Sequence, residues 1–191
     1  MRLLGSGVMS GTIVALLAVG VGADEKEFNA TCPVSGQAAT EKNSVNYKGK
    51  KVYFCCNNCP KKFNKNPKEF AAKANYQLMQ TGQMIQLACP FTGKDCNPDT
   101  EVDVEGVKVA FCCNNCKGKF EKADDKIACV FTKVGKGFTT QTKCPVSGKA
   151  IDATKSVEHE GRKVYFCCGN CPKAFDADPE KFVKKLPPVI E

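Results

Sequence analysis

The sequence predicts an α+β chain of three small modules in tandem, and three observations predict it. With Cys32, Cys89 and Cys144 set in register, segments 32–70, 89–127 and 144–182 match one another without a gap. Each segment runs in the same order: a Cys-Pro-x-Ser/Thr-Gly turn, an alternating hairpin pattern, then a short helical pattern. Each also carries four cysteines at fixed offsets, which accounts for twelve of the fourteen in the 191-residue chain. A fixed period of this length marks repeated supersecondary units.

The opening turns, CPVSG (32–36), CPFTG (89–93) and CPVSG (144–148), predict a tight knuckle. Pro fixes one φ angle and Gly supplies the positive φ of a sharp reversal. SVNYKGKKVYF (44–54) and SVEHEGRKVYF (156–166) alternate about a Gly turn, which predicts a β-hairpin. The runs VYFCCNNC (52–59), VAFCCNNC (109–116) and VYFCCGNC (164–171) end its second strand on a doubled cysteine. CPKKFNKNPKEFAAKA (59–74) and CPKAFDADPEKFVKKL (171–186) then predict a short helix with Pro in its first turn, where a missing N–H costs nothing. A second Pro, at 67 or 179, predicts a turn and a further helical piece carrying Phe70 or Phe182.

The modules are expected at 24–75, 89–128 and 144–185, with a tail at 186–191. The linkers, 76–88 and 129–143, are expected to be hairpins. YQLMQTGQMIQLA mirrors itself about Thr81-Gly82, and the stretch from Ile127 to Lys143 does likewise about a Gly-rich turn. Residues 1–23 read as a signal peptide, with one Arg, a short apolar run and cleavage after Ala23. The protein is therefore expected to be exported, periplasmic or secreted. That run is too short for a comfortable span, so no stable membrane insertion is expected after cleavage.

The formal charge of +8 is nearly all scattered Lys, and an exported chain without a basic stripe is not expected to bind nucleic acid. No Ser/His/acid set, phosphate-cradling loop or paired acidic motif recurs, so the chain is not expected to be an enzyme. The one histidine, His159, is expected to be an exposed hairpin residue.

A unit of about 40 residues buries too little apolar surface to fold alone and needs a staple. Export favours disulfides in general. Here, though, three of each module's four cysteines fall within five residues. Neighbouring cysteines bond only under strain, and short loops constrain the unfolded chain weakly. A disulfide-stapled interaction module without metal is therefore the alternative to metal binding. A thiol-disulfide oxidoreductase, suggested by CNNC and CGNC at a helix start, comes third. The leftover pair, Cys96 and Cys129, is expected to form one disulfide.

At a helix N-terminus Cys59, Cys116 and Cys171 are expected to lose their protons most easily. Vicinal cysteines point to opposite faces of a strand, which leaves three or four ligands per site open. Four thiolates suit zinc, and three suit copper(I). Thiolate-rich sites are anionic, and Lys51, Lys108 and Lys163, near each cluster, are read either as offsetting that charge or as ordinary surface lysines.

Knuckle, hairpin and helix, with cysteines on the knuckle and at the helix start, is the logic of a treble-clef-like zinc-finger module. The spacing C-x22-C-x3-C in every copy resembles the TRASH/YHS-like family of metal-binding domains. The resemblance implies trafficking, resistance or sensing of heavy metals, with zinc or copper(I), up to one ion per module, and a metal-transport or acceptor protein as partner. It implies as ligands Cys32, Cys55 and Cys59, then Cys89, Cys112 and Cys116, then Cys144, Cys167 and Cys171. It gives no fixed role to Cys56, Cys113 and Cys168, which stay possible fourth ligands. The middle copy departs most, with Lys117 for Pro, Ala110 for Tyr and Asp124 for Pro. A third alternative is that only some modules bind, with the middle one structural and braced by Cys96 and Cys129.

Overall fold

The computed structural model describes residues 28–132 and 134–188. The segment expected to be a signal peptide, 1–23, lies outside them, as do the last three residues of the tail. Among the described residues no helix is long and apolar enough to cross a membrane.

Each module opens on the same knuckle. The Cys32 N–H donates to Gln37 O at 2.7 Å and the Gly36 N–H to Cys32 O at 2.8 Å, and the bonds recur at Cys89 and Cys144. The hairpins follow as β1 (Thr40–Tyr47) with β2 (Lys50–Phe54), β4 (Asn97–Val104) with β5 (Val107–Phe111), and β7 (Asp152–His159) with β8 (Arg162–Phe166). Their two-residue turns, Lys48-Gly49, Glu105-Gly106 and Glu160-Gly161, have positive φ at both positions. That is the primed turn whose twist matches the strands. It leaves a hairpin of fixed register, so Val52 and Phe54 face inward and Lys51 outward.

The first helices are α1 (Asn58–Lys65), α3 (Asn114–Glu121) and α5 (Cys171–Ala177). Each sends one phenylalanine onto the hairpin: Phe63 meets Phe54, Phe120 meets Phe111 and Phe175 meets Phe166, with centroids 5.4–5.5 Å apart. Of the further helical pieces expected after the second prolines, the third module's carries its phenylalanine and the first module's begins one residue beyond its own. α2 (Ala71–Gln80) begins after Phe70, and α6 (Pro179–Val183) carries Phe182. Asp125 and Asp178 cap α4 (Lys126–Phe131) and α6 with their carboxylates.

The linkers are not hairpins. Residues 71–80 form one helix, and Gly82 ends it rather than turning two strands. The Gly82 N–H donates to Met79 O at 3.0 Å and the Gln83 N–H to Leu78 O at 2.8 Å, a Schellman stop at φ 66°. The mirrored apolar residues about Thr81-Gly82 satisfy a helix face as well as a strand face, and Ala and Gln favour the helix. In the second linker α4 is followed by a 3₁₀ turn (Val134–Lys136). The strand content is intermodular: β3 (Ile85–Gln86) pairs antiparallel with β6 (Phe138–Thr139), one linker against the other.

These helices join the first two modules. Tyr76 of α2 packs on Phe131 of α4 at 5.6 Å, its hydroxyl donates to Glu105 O at 2.6 Å, and the Asn75 amide donates to Phe131 O at 2.8 Å. Modules one and two share one apolar core, which also takes in Met84, Val134 and Phe138. Module three has its own small core, built on Val164, Phe166, Phe175 and Phe182 around Cys144 and Cys171. His159 is half-buried there, edge-on to Phe175 at 5.2 Å. It takes the packing place that Tyr47 takes on Phe63, so it is not the exposed residue its polarity suggests.

Candidate metal centres

The fold brings three cysteines of each module into one nest. Cys32, Cys55 and Cys59 have sulfurs all within 4.8 Å of one another, as do Cys89, Cys112 and Cys116, and Cys144, Cys167 and Cys171. The knuckle supplies the first cysteine, the end of the second strand the next, and the first helical turn the last. The first and last are buried in every nest, and the strand-end sulfur is half-buried. Strand-end and helix sulfurs stand 3.6 Å apart at Cys55–Cys59, 3.7 Å at Cys112–Cys116 and 3.6 Å at Cys167–Cys171. Thiolates sharing one tetrahedral ion at ~2.3 Å stand about 3.8 Å apart. The strand-end and helix sulfurs therefore stand at the spacing of two thiolates on one shared metal ion, with the knuckle sulfur within 4.8 Å of both. The middle nest is as well formed as the others, although its sequence departs most.

The doubled cysteine splits as a strand end requires. Cys56, Cys113 and Cys168 join none of the three-sulfur groups. Cys56 and Cys168 are exposed, each 3.5 Å from its helix cysteine, while Cys113 is half-buried and 3.7 Å from Cys112.

The ionisation pattern differs from the helix-dipole expectation. Burial pushes the Cys59, Cys116 and Cys171 thiols up, and hydrogen bonds to neighbouring sulfurs push them further, Cys116 and Cys171 to about 12. The helix N–H groups serve the doubled cysteine instead. Cys56 is lowered by the Asn58 and Cys59 N–H groups, Cys113 first by that of Cys116 and Cys168 first by that of Asn170. The readiest thiolates are on the knuckles. Burial raises Cys32, Cys89 and Cys144, but the hydroxyl of Ser35, Thr92 or Ser147 and several backbone N–H groups outweigh it. The thiols come down to about 7, about 7 and about 6. Neutral donors, rather than Lys51, Lys108 and Lys163, stabilise the anions. All three lysines point to solvent, and the Lys108 ammonium pairs with Glu101 at 2.9 Å.

Cys96 and Cys129 do not pair. All fourteen cysteines are free thiols. The Cys96 sulfur lies 3.4 Å from both Gln86 Nε2 and Ala110 O beside β5, and burial pushes its thiol up to about 11. Cys129 sits on α4 in an apolar groove with Pro90 and Phe91.

Two features escape the sequence reading. One is the Ser/Thr of the knuckle, which reaches the strand-end sulfur: Ser35 to Cys55 at 3.2 Å, Thr92 to Cys112 at 3.3 Å, Ser147 to Cys167 at 3.1 Å. Its signal was the recurrence of a hydroxyl at one offset. The other is a glutamine that completes the free edge of each second strand. Gln77 exchanges two hydrogen bonds with the Tyr53 backbone, Gln86 with Ala110 and Gln141 with Tyr165. Gln86 and Gln141 stand three residues before the knuckle cysteine, but Asn29 holds that place in module one, and Gln77 comes from α2 instead. The change of source hides the repeat.

Residues 31–74 match the family model of the YHS domain. The match spans the first module. The three tandem cysteine clusters fit a TRASH/YHS-like metal-binding family, with the YHS match on module one and the same three-sulfur nest in modules two and three. Neither the curated proteins nor the solved structures contain a match to the chain.

Proposed function

We propose that this is an exported metal-binding protein whose modules each hold one zinc or copper(I) ion in a three-thiolate nest, to bind, buffer or pass on the metal outside the cytoplasm. The observation that carries it is the nest itself, built three times with sulfur spacings that suit one shared ion. The knuckle–hairpin–helix order supports a treble-clef-like reading of each module. Nine sulfurs are the primary ligands, with Cys56, Cys113 and Cys168 as the reserve through which a fourth thiolate can close a zinc site. When bound, the ion supplies the cross-link that a small core lacks, since binding free energy at a structural site is folding free energy. The chain's own part is to bury two sulfurs, aim the third, and donate N–H and O–H groups to their charge. The role is one of binding, not catalysis, with a metal-transport or acceptor protein as partner.

Elemental analysis of protein purified from its native compartment, with thiol counting under denaturing conditions, tests this. The expected result is about three ions per chain, with all fourteen cysteines titrating as thiols. A metal-free, fully disulfide-bonded chain would overturn it in favour of the disulfide-stapled module.

A further inference from the structure

We propose, on the metal-binding reading of the nests, that Ser35, Thr92 and Ser147 are positioning residues, each an obligate hydrogen-bond donor to the strand-end sulfur of its nest. The geometry repeats three times in one chain with Oγ–Sγ distances of 3.1–3.3 Å. Direction follows from the rest of the knuckle. The backbone N–H two residues on donates to the same oxygen: Gln37 to Ser35, Lys94 to Thr92 and Lys149 to Ser147, each at 3.3 Å. A hydroxyl has one proton to give. With its oxygen accepting from the backbone, that proton is turned into the nest, where the strand-end sulfur lies at hydrogen-bond distance and shares the donor with the knuckle sulfur. In a loaded nest all three sulfurs are thiolates, so the hydroxyl is the donor in every pair. A donor to a thiolate draws off charge and lowers its nucleophilicity while leaving it a ligand. The strand-end cysteine is also the half-buried member of each nest, so it is the ligand that solvent and competing electrophiles reach first. The hydroxyl guards that sulfur. Thr92 does in the middle module what Ser35 and Ser147 do in the outer two, so the requirement is for the hydroxyl and not for one side-chain size.

The test uses the full chain loaded with cadmium and compares two triple variants. S35A/T92V/S147A removes the three donors, and S35T/T92S/S147T exchanges them. Cadmium content is measured first, then the rate at which iodoacetamide alkylates the loaded thiols. The donor-free variant is expected to keep the cadmium stoichiometry and react about tenfold faster, the scale of one lost hydrogen bond to a charged group. The exchanged variant is expected to behave as wild type. Equal rates in all three, at equal cadmium content, would overturn the assignment and leave metal binding intact. Failure of the wild-type chain to take up cadmium would instead overturn the metal reading, before any variant is compared. If the triple variant does not fold, T92V alone decides the matter, because Thr92 is exposed and its loss disturbs no packing. The cadmium-113 resonance of the middle site is expected to move in T92V and stay in T92S.

Discussion

Modules one and three carry the same nest on the same hairpin and differ in what lies against them. Module one sends α2 across to α4 and shares a core with module two. At the matching place module three has Val183 and a chain that runs into Pro187-Pro188, so its core ends at Phe182. Its links to the rest are thin: Gln141 on the β8 edge, and the tail, held by Arg162, whose guanidinium donates to Pro187 O at 3.1 Å, with Pro188 set against Gly49 of module one. Yet the strand-end and helix sulfurs are 3.6 Å apart in both. The nest is therefore a property of local sequence, while stability is a property of the neighbours.

Removing the metal is expected to separate the two regions most sharply. A structural thiolate site contributes on the order of 10 kcal/mol to folding, more than the core of module three can replace. Chelation should strip hydrogen-exchange protection from β7, β8 and α5 while α2 and α4 keep theirs. Equal loss throughout would mean that the shared core confers no independence.

The next effect runs the other way. Phe131→Ala is expected to cost about 3–5 kcal/mol in modules one and two, because Phe131 touches Tyr76 and Phe138 in their common core. Module three should hold, making denaturant unfolding biphasic. A single transition at lower midpoint would contradict the division.

Smaller changes test the strand edges. Gln77→Ala and Gln141→Ala each strand a backbone N–H and C=O, costing about 1–3 kcal/mol. Gln77 is the more costly of the two, because its amide's further bond, to Thr31 O at 2.9 Å, is shorter than that of Gln141 to Lys143 O at 3.3 Å. Urea titration of the two variants should rank them so, and the reverse order would show that module three depends on its edge more than module one does.

The smallest effect is on pH. In the metal-free protein the knuckle thiols lie below their ordinary value of 9.0, at about 7, 7 and 6. A lowered folded-state value means that the thiolate favours the fold. That stability is complete above pH ~9 and is lost as pH falls through 7 and then 6, with Cys144 last. Thiolate absorbance near 240 nm should rise over that window in the native chain and only at higher pH once unfolded. Coincident curves would contradict it.

What could be read in advance divides along the same line. The knuckle, hairpin and nest were legible because each depends on residues a few places apart or on an exact threefold repeat. Asn29 in place of a glutamine concealed the strand-edge amide of module one. The linkers misled because Leu78, Met79, Met84 and Ile85 suit either period, and only packing of Tyr76 on Phe131 decides for the helix. The helix cysteines misled because burial at Cys59 outweighs the dipole, whose N–H groups turn to Cys56. Cys96 and Cys129 were paired by arithmetic alone, and each has a separate environment.

The most direct test of the central claim, that three sulfurs distant along each module meet on one ion, is X-ray absorption at the metal in protein purified from its own compartment. The account predicts a first shell of three or four sulfurs at about 2.3 Å. A shell of oxygen and nitrogen, with the nest cysteines oxidised, would contradict it.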